Sequence, residues 1–134
     1  MTETAALTDR KVAAALDTYY GSMSKLDMAG VASGFAQDGI TEDPKGSPIQ
    51  RGRAAIEAYF TGLGAALETF SIAPVNTYVS GDGVAVRWAA SWKGRNGRAG
   101  QFEGIDTFVI GPDGLITESA GYWDTSVLAE MSAG

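Results

Sequence analysis

The sequence predicts an α+β domain in which three N-terminal helices pack on a curved, mainly antiparallel β-sheet. In the first half of the chain, apolar residues recur at helical spacing. In the second half, apolar and polar residues alternate in segments that Gly, Asp and Pro separate. At 134 residues the chain is long enough for one domain with a hydrophobic core. We therefore predict a single domain over 1–134, with a loose end at 1–7.

The first two helices are predicted from their caps and apolar stripes. Thr8 is the predicted N-cap of the first helix, and Asp27 is the predicted N-cap of a second, weaker one. The apolar stripe of the first helix is Val12, Leu16, Tyr19, Tyr20 and Met23. The apolar face of the second is Met28, Val31 and Phe35. Asp38-Gly39 is a turn signal that would follow the second helix.

A short extended piece and a third helix complete the predicted first half. Residues 40–43 are predicted to be extended, and Pro44 keeps Asp43 out of helical geometry. The third helix is predicted from about Arg53 to Thr61, with Ile56, Tyr59 and Phe60 directed inward. A cone of helices on a curved sheet can leave its mouth unfilled, which would create an apolar pocket.

The remainder of the chain is predicted to form strands near 67–79, 83–93, 98–110 and 115–125. The second of these strands alternates cleanly, with Val84, Val86, Trp88, Ala90 and Trp92 on one face. Asp106 lies in the third strand, and its face is shared with Phe102, Gly104, Phe108 and Ile110. Because an ionised carboxylate is costly to bury, Asp106 is predicted to be a neutral acid that can donate a hydrogen bond.

The composition excludes several kinds of chemistry. The chain contains neither cysteine nor histidine, so disulfides, thiol nucleophiles, Ser-His-Asp triads and His or Cys metal sites are excluded. The net charge of −6 disfavours nucleic acids and anionic membranes as partners. There is no apolar run of membrane-spanning length, and the N-terminus lacks the features of a secretory signal. We expect a soluble cytoplasmic protein without metal or other cofactor.

Three polar residues, Tyr19, Asp43 and Asp106, occur in an order and context that resemble the ketosteroid isomerases, the 3-oxo-Δ5-steroid isomerases. Glu42-Asp43-Pro44 with the following Gly52-Arg53 resembles the segment around the catalytic base of that family. Ile105-Asp106 and Tyr122-Trp123 resemble its C-terminal hairpin. The resemblance covers roughly residues 16–126 and implies the conical fold of the nuclear-transport-factor-2-like superfamily, which includes polyketide cyclases.

The resemblance implies a role for each of the three residues. Asp43 would be the general base, while Tyr19 and a protonated Asp106 would donate hydrogen bonds to the substrate's ketone oxygen, as is known for ketosteroid isomerases. Tyr20 is a neighbouring competitor for the role of Tyr19. The ligand would lie among Phe35, Phe60, Val86, Trp88, Phe102, Gly104 and Trp123. A one-residue shift would bring Tyr59 into the place of Phe60.

The predicted activity is that of a steroid Δ-isomerase, an intramolecular oxidoreductase that transposes a C=C bond in a small hydrophobic ketone. The resemblance also implies a homodimer formed through the outer sheet face. A polyketide cyclase and an epoxide hydrolase of the same fold are alternatives. The hydrolase would require an Arg between two carboxylates, and Arg87 alternates away from the pocket face. A further alternative is a non-catalytic ligand-binding or dimerisation module, in which the three polar residues would not converge.

Overall fold

The computed structural model describes residues 2–133, with side chains from residue 9 to 133. This part of the chain contains four helices and six strands. The helices are α1 (Thr2–Met23), α2 (Met28–Ser33), α3 (Arg53–Leu63) and α4 (Ser126–Ser132). The strands are β1 (Phe35–Glu42), β2 (Gln50–Arg51), β3 (Leu67–Ser80), β4 (Gly83–Gly94), β5 (Ala99–Ile110) and β6 (Ile116–Trp123). The predicted α+β class is confirmed.

The six strands form one mixed sheet in the order β2-β1-β6-β5-β4-β3. Neighbouring strands are antiparallel except for β1 and β6, which are parallel. The long strands β3, β4, β5 and β6 follow one another in sequence and in space and form an antiparallel meander. β1 joins this meander beside β6, so the end of β1 comes to lie next to the middle of the C-terminal hairpin.

One face of the sheet packs against the helices. In β4, Val84, Val86, Trp88, Ala90 and Trp92 are all buried, as the alternation predicted. The stripe of α1 predicted from Val12 to Met23 is also buried against this face. The apolar side chains of α1, α2, α3 and the inner sheet face form one hydrophobic cluster. The core therefore lies between the helices and the concave side of the sheet.

Several local predictions were wrong. α1 begins at Thr2, so Thr8 lies within the helix and is not its N-cap. Phe35 is the first residue of β1, because α2 ends at Ser33 and Gly34 caps it. Asp38-Gly39 lies inside β1, at a register irregularity between Phe35 and Ile40. Gly39 is needed there because a β-carbon would be 3.0 Å from the carbonyl oxygen of Ile116 on the neighbouring strand.

Two further elements, β2 and α4, were not predicted from the sequence. β2 is two residues long and pairs with Ile40 and Thr41. α4 is a short helix whose buried residues, Val127 and Met131, pack with Leu67 and Trp92 at one end of the core. None of the helices between residues 2 and 133 combines the length and apolar character needed to cross a membrane.

Candidate active site

A cavity of about 80 Å³ lies between the helices and the inner face of the sheet. Its walls are mainly apolar, and the polar side chains among them include Tyr19, Asp43 and Asp106. The apolar lining residues are Met23, Leu26, Met28, Phe60, Leu63, Leu67, Phe70, Ile72, Phe102, Leu128 and Met131, together with the rings of Trp88 and Trp123. The predicted apolar pocket is therefore present, with its carboxyl groups enclosed by hydrocarbon.

Three separate elements bring the predicted catalytic residues together. α1 carries Tyr19, the residue after β1 is Asp43, and the middle of β5 carries Asp106. Asp106 pairs with Val86 on one side and Gly121 on the other. All three side chains line the same cavity and are at most 7% exposed. This convergence is the arrangement that a non-catalytic module was expected to lack.

Asp43 is held by donors on both of its carboxyl oxygens. The indole N–H of Trp123 donates to Oδ1 over 2.6 Å, and the Tyr19 hydroxyl lies 3.5 Å from Oδ2, at the limit of a hydrogen bond. Burial raises the pKa of Asp43 above its ordinary value, and the donors of Trp123 and Tyr19 oppose this increase. Asp43 thus lies in a dry environment, with both carboxyl oxygens near protein donors.

The main chain around Asp43 is fixed independently of its carboxyl group. The Tyr59 hydroxyl donates to the carbonyl oxygen of Asp43 over 2.6 Å, and the N–H of Lys45 donates to the carbonyl oxygen of Gly121 over 2.6 Å. A β-carbon on Gly121 would overlap the carboxyl group of Asp43. The glycine therefore leaves the space in which the predicted base stands.

Asp106 has a different set of neighbours. The Tyr20 hydroxyl donates to its Oδ2 over 2.6 Å. Burial raises the pKa of Asp106 well above its ordinary value, and the nearby charge of Asp43 raises it further. The Tyr20 hydroxyl and, less strongly, the indole N–H of Trp88 oppose this increase, although that N–H forms no hydrogen bond of normal geometry among the described residues.

The two phenols remain protonated at neutral pH. Burial raises the pKa of Tyr19 and of Tyr20, and the carboxyl groups of Asp106 and Asp43 raise both further. The two rings are in edge contact, with centroids 5.0 Å apart, and both pack on Phe108. Each phenol can therefore act as a hydrogen-bond donor but not as an ionised base.

The predicted ligand-binding residues fall into two groups. Phe60, Trp88, Phe102 and Trp123 line the cavity. Phe35, Val86 and Gly104 lie behind its lining. Phe35 and Val86 are fully buried in the core, and Phe35 packs near the ring of Tyr19. The Trp88 ring lies against Gly104, where a β-carbon would be 2.5 Å from it.

The ambiguity between Tyr59 and Phe60 is resolved by α3. Phe60 faces the cavity, whereas Tyr59 extends its hydroxyl to the main chain of Asp43. The hydrogen bond from Trp123 to Asp43 and the space that Gly121 provides were not predicted from the sequence. Trp123 and Gly121 are two residues apart on a strand, so their shared face was readable, but their distance from residue 43 was not.

Arginine does not occur among the cavity-lining residues of the described chain. Arg87 is exposed on the outer face and pairs with Glu103 over 3.3 Å. Arg53 donates from Nε to the carbonyl oxygen of Phe35 over 2.7 Å. No group of three or more potential metal ligands occurs among the described side chains. The cavity instead presents carboxyl, phenol and indole groups, which suit an uncharged ligand with a hydrogen-bond acceptor.

The fold has helices on one face of a curved sheet, and two acids lie in the pocket between them. Solved proteins share this fold. A solved protein from Catenulispora acidiphila with a ketosteroid isomerase-like fold aligns with a TM-score of 0.78 at 16% identity, over 88% of this chain and 91% of that one. The epoxide hydrolase/cyclase-like enzyme SalBIII, which is associated with pyran ring formation in salinomycin, aligns with a TM-score of 0.75 at 24% identity, over 88% and 94% of the two chains.

The sequence itself identifies the family. Residues 16–119 match the SnoaL-like domain, so the chain belongs to the SnoaL-like domain family. A steroid Δ-isomerase of Nocardioides simplex is 30% identical over 116 residues, which cover 84% of this chain and 89% of that protein. The resemblance noted from Tyr19, Asp43 and Asp106 is thereby confirmed at the level of family and fold.

Proposed function

We propose that the protein is a cofactor-independent isomerase that converts 3-oxo-Δ5-steroids to 3-oxo-Δ4-steroids. The observation that carries this proposal is the convergence of Tyr19, Asp43 and Asp106 at one end of an apolar cavity. The identity with a steroid Δ-isomerase supports the choice of substrate class.

The unequal surroundings of the two carboxyl groups support a division of roles. Burial raises the pKa of both groups, and the charge of Asp43 raises the pKa of Asp106 further, so we assign the retained proton to Asp106. Two carboxyl groups that interact cannot readily both be charged, and the second ionisation is therefore suppressed. Asp43 would be the base and Asp106 the neutral donor.

The proposed reaction moves one proton within the substrate. Asp43 removes a proton from the carbon between the ketone and the double bond, and the electron pair of that C–H bond forms a dienolate. Tyr19 and Asp106 donate hydrogen bonds to the ketone oxygen as it gains negative charge. Asp43 then returns the proton to the far end of the dienolate, which leaves the conjugated enone and restores the carboxylate.

The hydrogen bonds of Asp43 suit this cycle. Trp123 holds Oδ1 firmly, whereas Oδ2 has the long contact with Tyr19. A contact of 3.5 Å contributes little, so Tyr19 can transfer its donation to a ketone oxygen at small cost. Oδ2 is then free to accept the proton. Trp123 would keep the carboxyl plane fixed throughout.

A steroid requires the cavity to open. Small-molecule sites commonly enclose about 300–1,000 Å³, which is more than the 80 Å³ present here. The register of β5 places Phe102 four residues from Asp106, towards the end of the sheet that α4 covers. Leu128 and Met131 of α4 line the cavity there. Their displacement would lengthen it away from the acids.

The test is to add 5-androstene-3,17-dione and follow the ultraviolet absorption of the conjugated enone. We expect turnover that depends on protein concentration and is unchanged in Asp38→Asn, a control that neutralises an exposed carboxylate. If the folded protein gives no increase above buffer, it is not a steroid isomerase.

The small cavity also supports a second candidate, a proton-transfer enzyme that acts on a smaller enolisable ketone with the same base. This activity is tested with 3-cyclohexen-1-one, whose conjugated product absorbs in the ultraviolet. Turnover of this ketone without turnover of the steroid would favour the second candidate.

We also propose that a second copy of the chain covers the outer face of the sheet. Large apolar side chains are exposed on this side, including Tyr78 (69% exposed), Ile105 (46%) and Tyr122 (45%). Ile105 and Tyr122 are register partners on adjacent strands. A concave surface lined by Tyr78, Val79, Val109 and Tyr122 adjoins them. Such a patch on a single chain is typical of an interaction surface.

Sedimentation velocity tests the proposed dimer. We expect a dimer for the native chain and a monomer for Tyr122→Glu, because a buried glutamate without a partner opposes association. Glu130→Gln, on exposed α4, is the matched control and should leave the dimer intact. A monomeric native chain at micromolar concentration would contradict this proposal.

A further inference from the structure

We propose that Tyr20 is a positioning residue: its hydroxyl holds one oxygen of Asp106, so that the carboxyl proton resides on the other and is donated more strongly to the bound ketone. This inference rests on the proposed function, which assigns Asp106 as the neutral donor. It does not make Tyr20 a substitute for Tyr19, because Tyr20 acts through Asp106.

The geometry separates Tyr20 from the ligand. Tyr20 is 3% exposed, and its hydroxyl donates to Oδ2 of Asp106 over 2.6 Å. Tyr20 does not line the cavity, whereas Asp106 and Tyr19 do. Tyr19 in turn lies near Asp43, so the two adjacent tyrosines address different carboxyl groups. Tyr20 therefore affects the ligand through Asp106, whose proton position and donor strength it can change.

A phenol that donates to a neutral carboxyl group selects the oxygen that carries the acid proton. The phenol has one proton to give, and the oxygen that accepts it supplies a lone pair. Oδ2 of Asp106 is therefore the carbonyl-type oxygen, and Oδ1 is left to hold the proton. In the absence of Tyr20 either oxygen could carry the proton, and a fraction of molecules would direct the wrong oxygen at the ligand.

The same contact increases the donor strength of the acid. Hydrogen bonds in a chain polarise one another, so donation from Tyr20 makes the remaining O–H of Asp106 a better donor. The Tyr20 hydroxyl also lowers the pKa of Asp106 from the value that burial and Asp43 would give. A more acidic neutral group binds a developing oxyanion more strongly.

Among the described residues, no side chain other than that of Tyr20 forms a hydrogen bond of normal geometry with Asp106, and the indole N–H of Trp88, although near, has none. The titratable groups that influence it are Tyr20 and Asp43, and Tyr19 also lines the cavity at this end. Asp43 is an acceptor when ionised, and Tyr19 is needed at the ketone. On the strands beside Asp106, Val86 and Gly121 have no polar side chain.

The first experiment compares Tyr20→Phe with the native protein in steroid turnover. We expect kcat to fall about 3- to 10-fold, as for the loss of one ordinary hydrogen bond, with KM little changed. Thr61→Val removes a hydroxyl from an exposed side chain of α3 and is the matched control, expected to be unchanged. An unchanged kcat in Tyr20→Phe would overturn the proposal.

A double-mutant cycle tests whether Tyr20 acts through Asp106. In an Asp106→Leu background, Tyr20→Phe should change kcat less than about 2-fold, because the group it positions is gone. If Tyr20→Phe costs the same factor in both backgrounds, Tyr20 contributes through packing or direct contact, and the proposal is wrong.

The pH profile separates positioning from a structural role. Removal of the Tyr20 donor raises the pKa of Asp106, so the alkaline fall in kcat should move to higher pH in Tyr20→Phe. A loosened, wetter site would move it to lower pH, and either that shift or no shift would overturn the proposal. If Tyr20→Phe does not fold, 3-fluorotyrosine in place of Tyr20 keeps the ring and donates more strongly, so the alkaline fall should move to lower pH.

Infrared spectroscopy tests the contact without any substrate. The carbonyl stretching band of the protonated Asp106 carboxyl is identified by its loss in Asp106→Leu. It should move to higher frequency in Tyr20→Phe, because its carbonyl oxygen loses a donor. A shifted band in a protein without steroid turnover would support the Tyr20 contact while removing the proposed function. A band that does not move would overturn the role of Tyr20.

Discussion

The loop that follows β1 and the middle of β5 each present one aspartate to the cavity, but they surround it differently. Asp43 has an indole N–H on one oxygen, a distant phenol on the other, and a main chain held by Tyr59. Asp106 has a short contact from Tyr20 and lies between two strands whose nearest residues are apolar.

The difference shows how one pocket can hold the same side chain in two protonation states. Burial raises the pKa of both groups, so burial alone does not distinguish them. At Asp43 the short donation from Trp123 opposes this increase, and the long contact with Tyr19 adds little. Asp106 receives the additional effect of the Asp43 charge and remains protonated over a wider pH range. Once one acid is ionised, its charge suppresses the ionisation of the other.

Among the variants that test the difference between the two acids, Asp43→Asn should have the largest effect on kcat. The amide keeps the shape of the side chain but cannot accept the substrate proton, so kcat should fall about 10²- to 10⁴-fold. The steady-state isomerase assay measures this loss, with Asp38→Asn as the control and thermal melting to confirm the fold. Activity within 10-fold of native would show that another group is the base.

Asp106→Leu removes the other half of the pair. Loss of one donor to a developing oxyanion typically costs about 10²- to 10³-fold in kcat. Because Leu is apolar and fills a similar space, binding of the conjugated steroid product should persist, as measured by quenching of tryptophan fluorescence. Native kcat in this variant would exclude Asp106 from the reaction.

Gly121→Ala sharpens the comparison by moving Asp43 without changing its chemistry. The added methyl group would occupy space that the carboxyl group uses, so the base must shift. A displacement of about 1 Å in a reacting group can cost up to about 10²-fold, and we expect a loss of roughly 10- to 100-fold in kcat. Gly62→Ala, an exposed helix position with open space, is the matched control. Equal kcat values in the two variants would contradict the positional role of Gly121.

The smallest effect concerns stability. The folded pKa of Asp106 is raised above its unfolded value of about 3.9. The folded state therefore binds more protons, and the contribution of Asp106 is fully present below about pH 4 and is lost as pH rises through the folded pKa. Asp106→Leu should abolish a slope of up to about 1.4 kcal/mol per pH unit above pH 4. Urea unfolding from pH 4 to 8 measures this, and parallel curves for native and variant would contradict the raised pKa.

The sequence predicted the four long strands because Gly, Asp and Pro separate them and because β4 alternates strictly. It did not predict β1 correctly, because Asp38-Gly39 has the composition of a turn and is accommodated by an irregular register beside β6. α4 was missed because seven residues give a weak periodic signal.

The residues of the candidate site could be predicted where a local sequence pattern or the family resemblance indicated them. Tyr19, Asp43 and Asp106 fall in this group, and the face of Asp106 was readable from β5 alone. The contact from Tyr20 to Asp106 was not, because neighbouring residues on a helix point about 100° apart. Whether the Tyr20 hydroxyl reaches β5 depends on how α1 is rotated over the sheet, which is a tertiary property.

The sulfur-containing side chains that line the cavity have a consequence for selectivity. Met23, Met28 and Met131 all face the cavity. A methionine side chain has three rotatable bonds and can change its shape to fit different ligands. The two acids, by contrast, are held by short hydrogen bonds from Trp123 and Tyr20. Under the proposed reaction, the protein would select substrates by their ketone group and tolerate different substituents on the rings far from it. Ketones that differ only in those substituents should therefore compete for the same site.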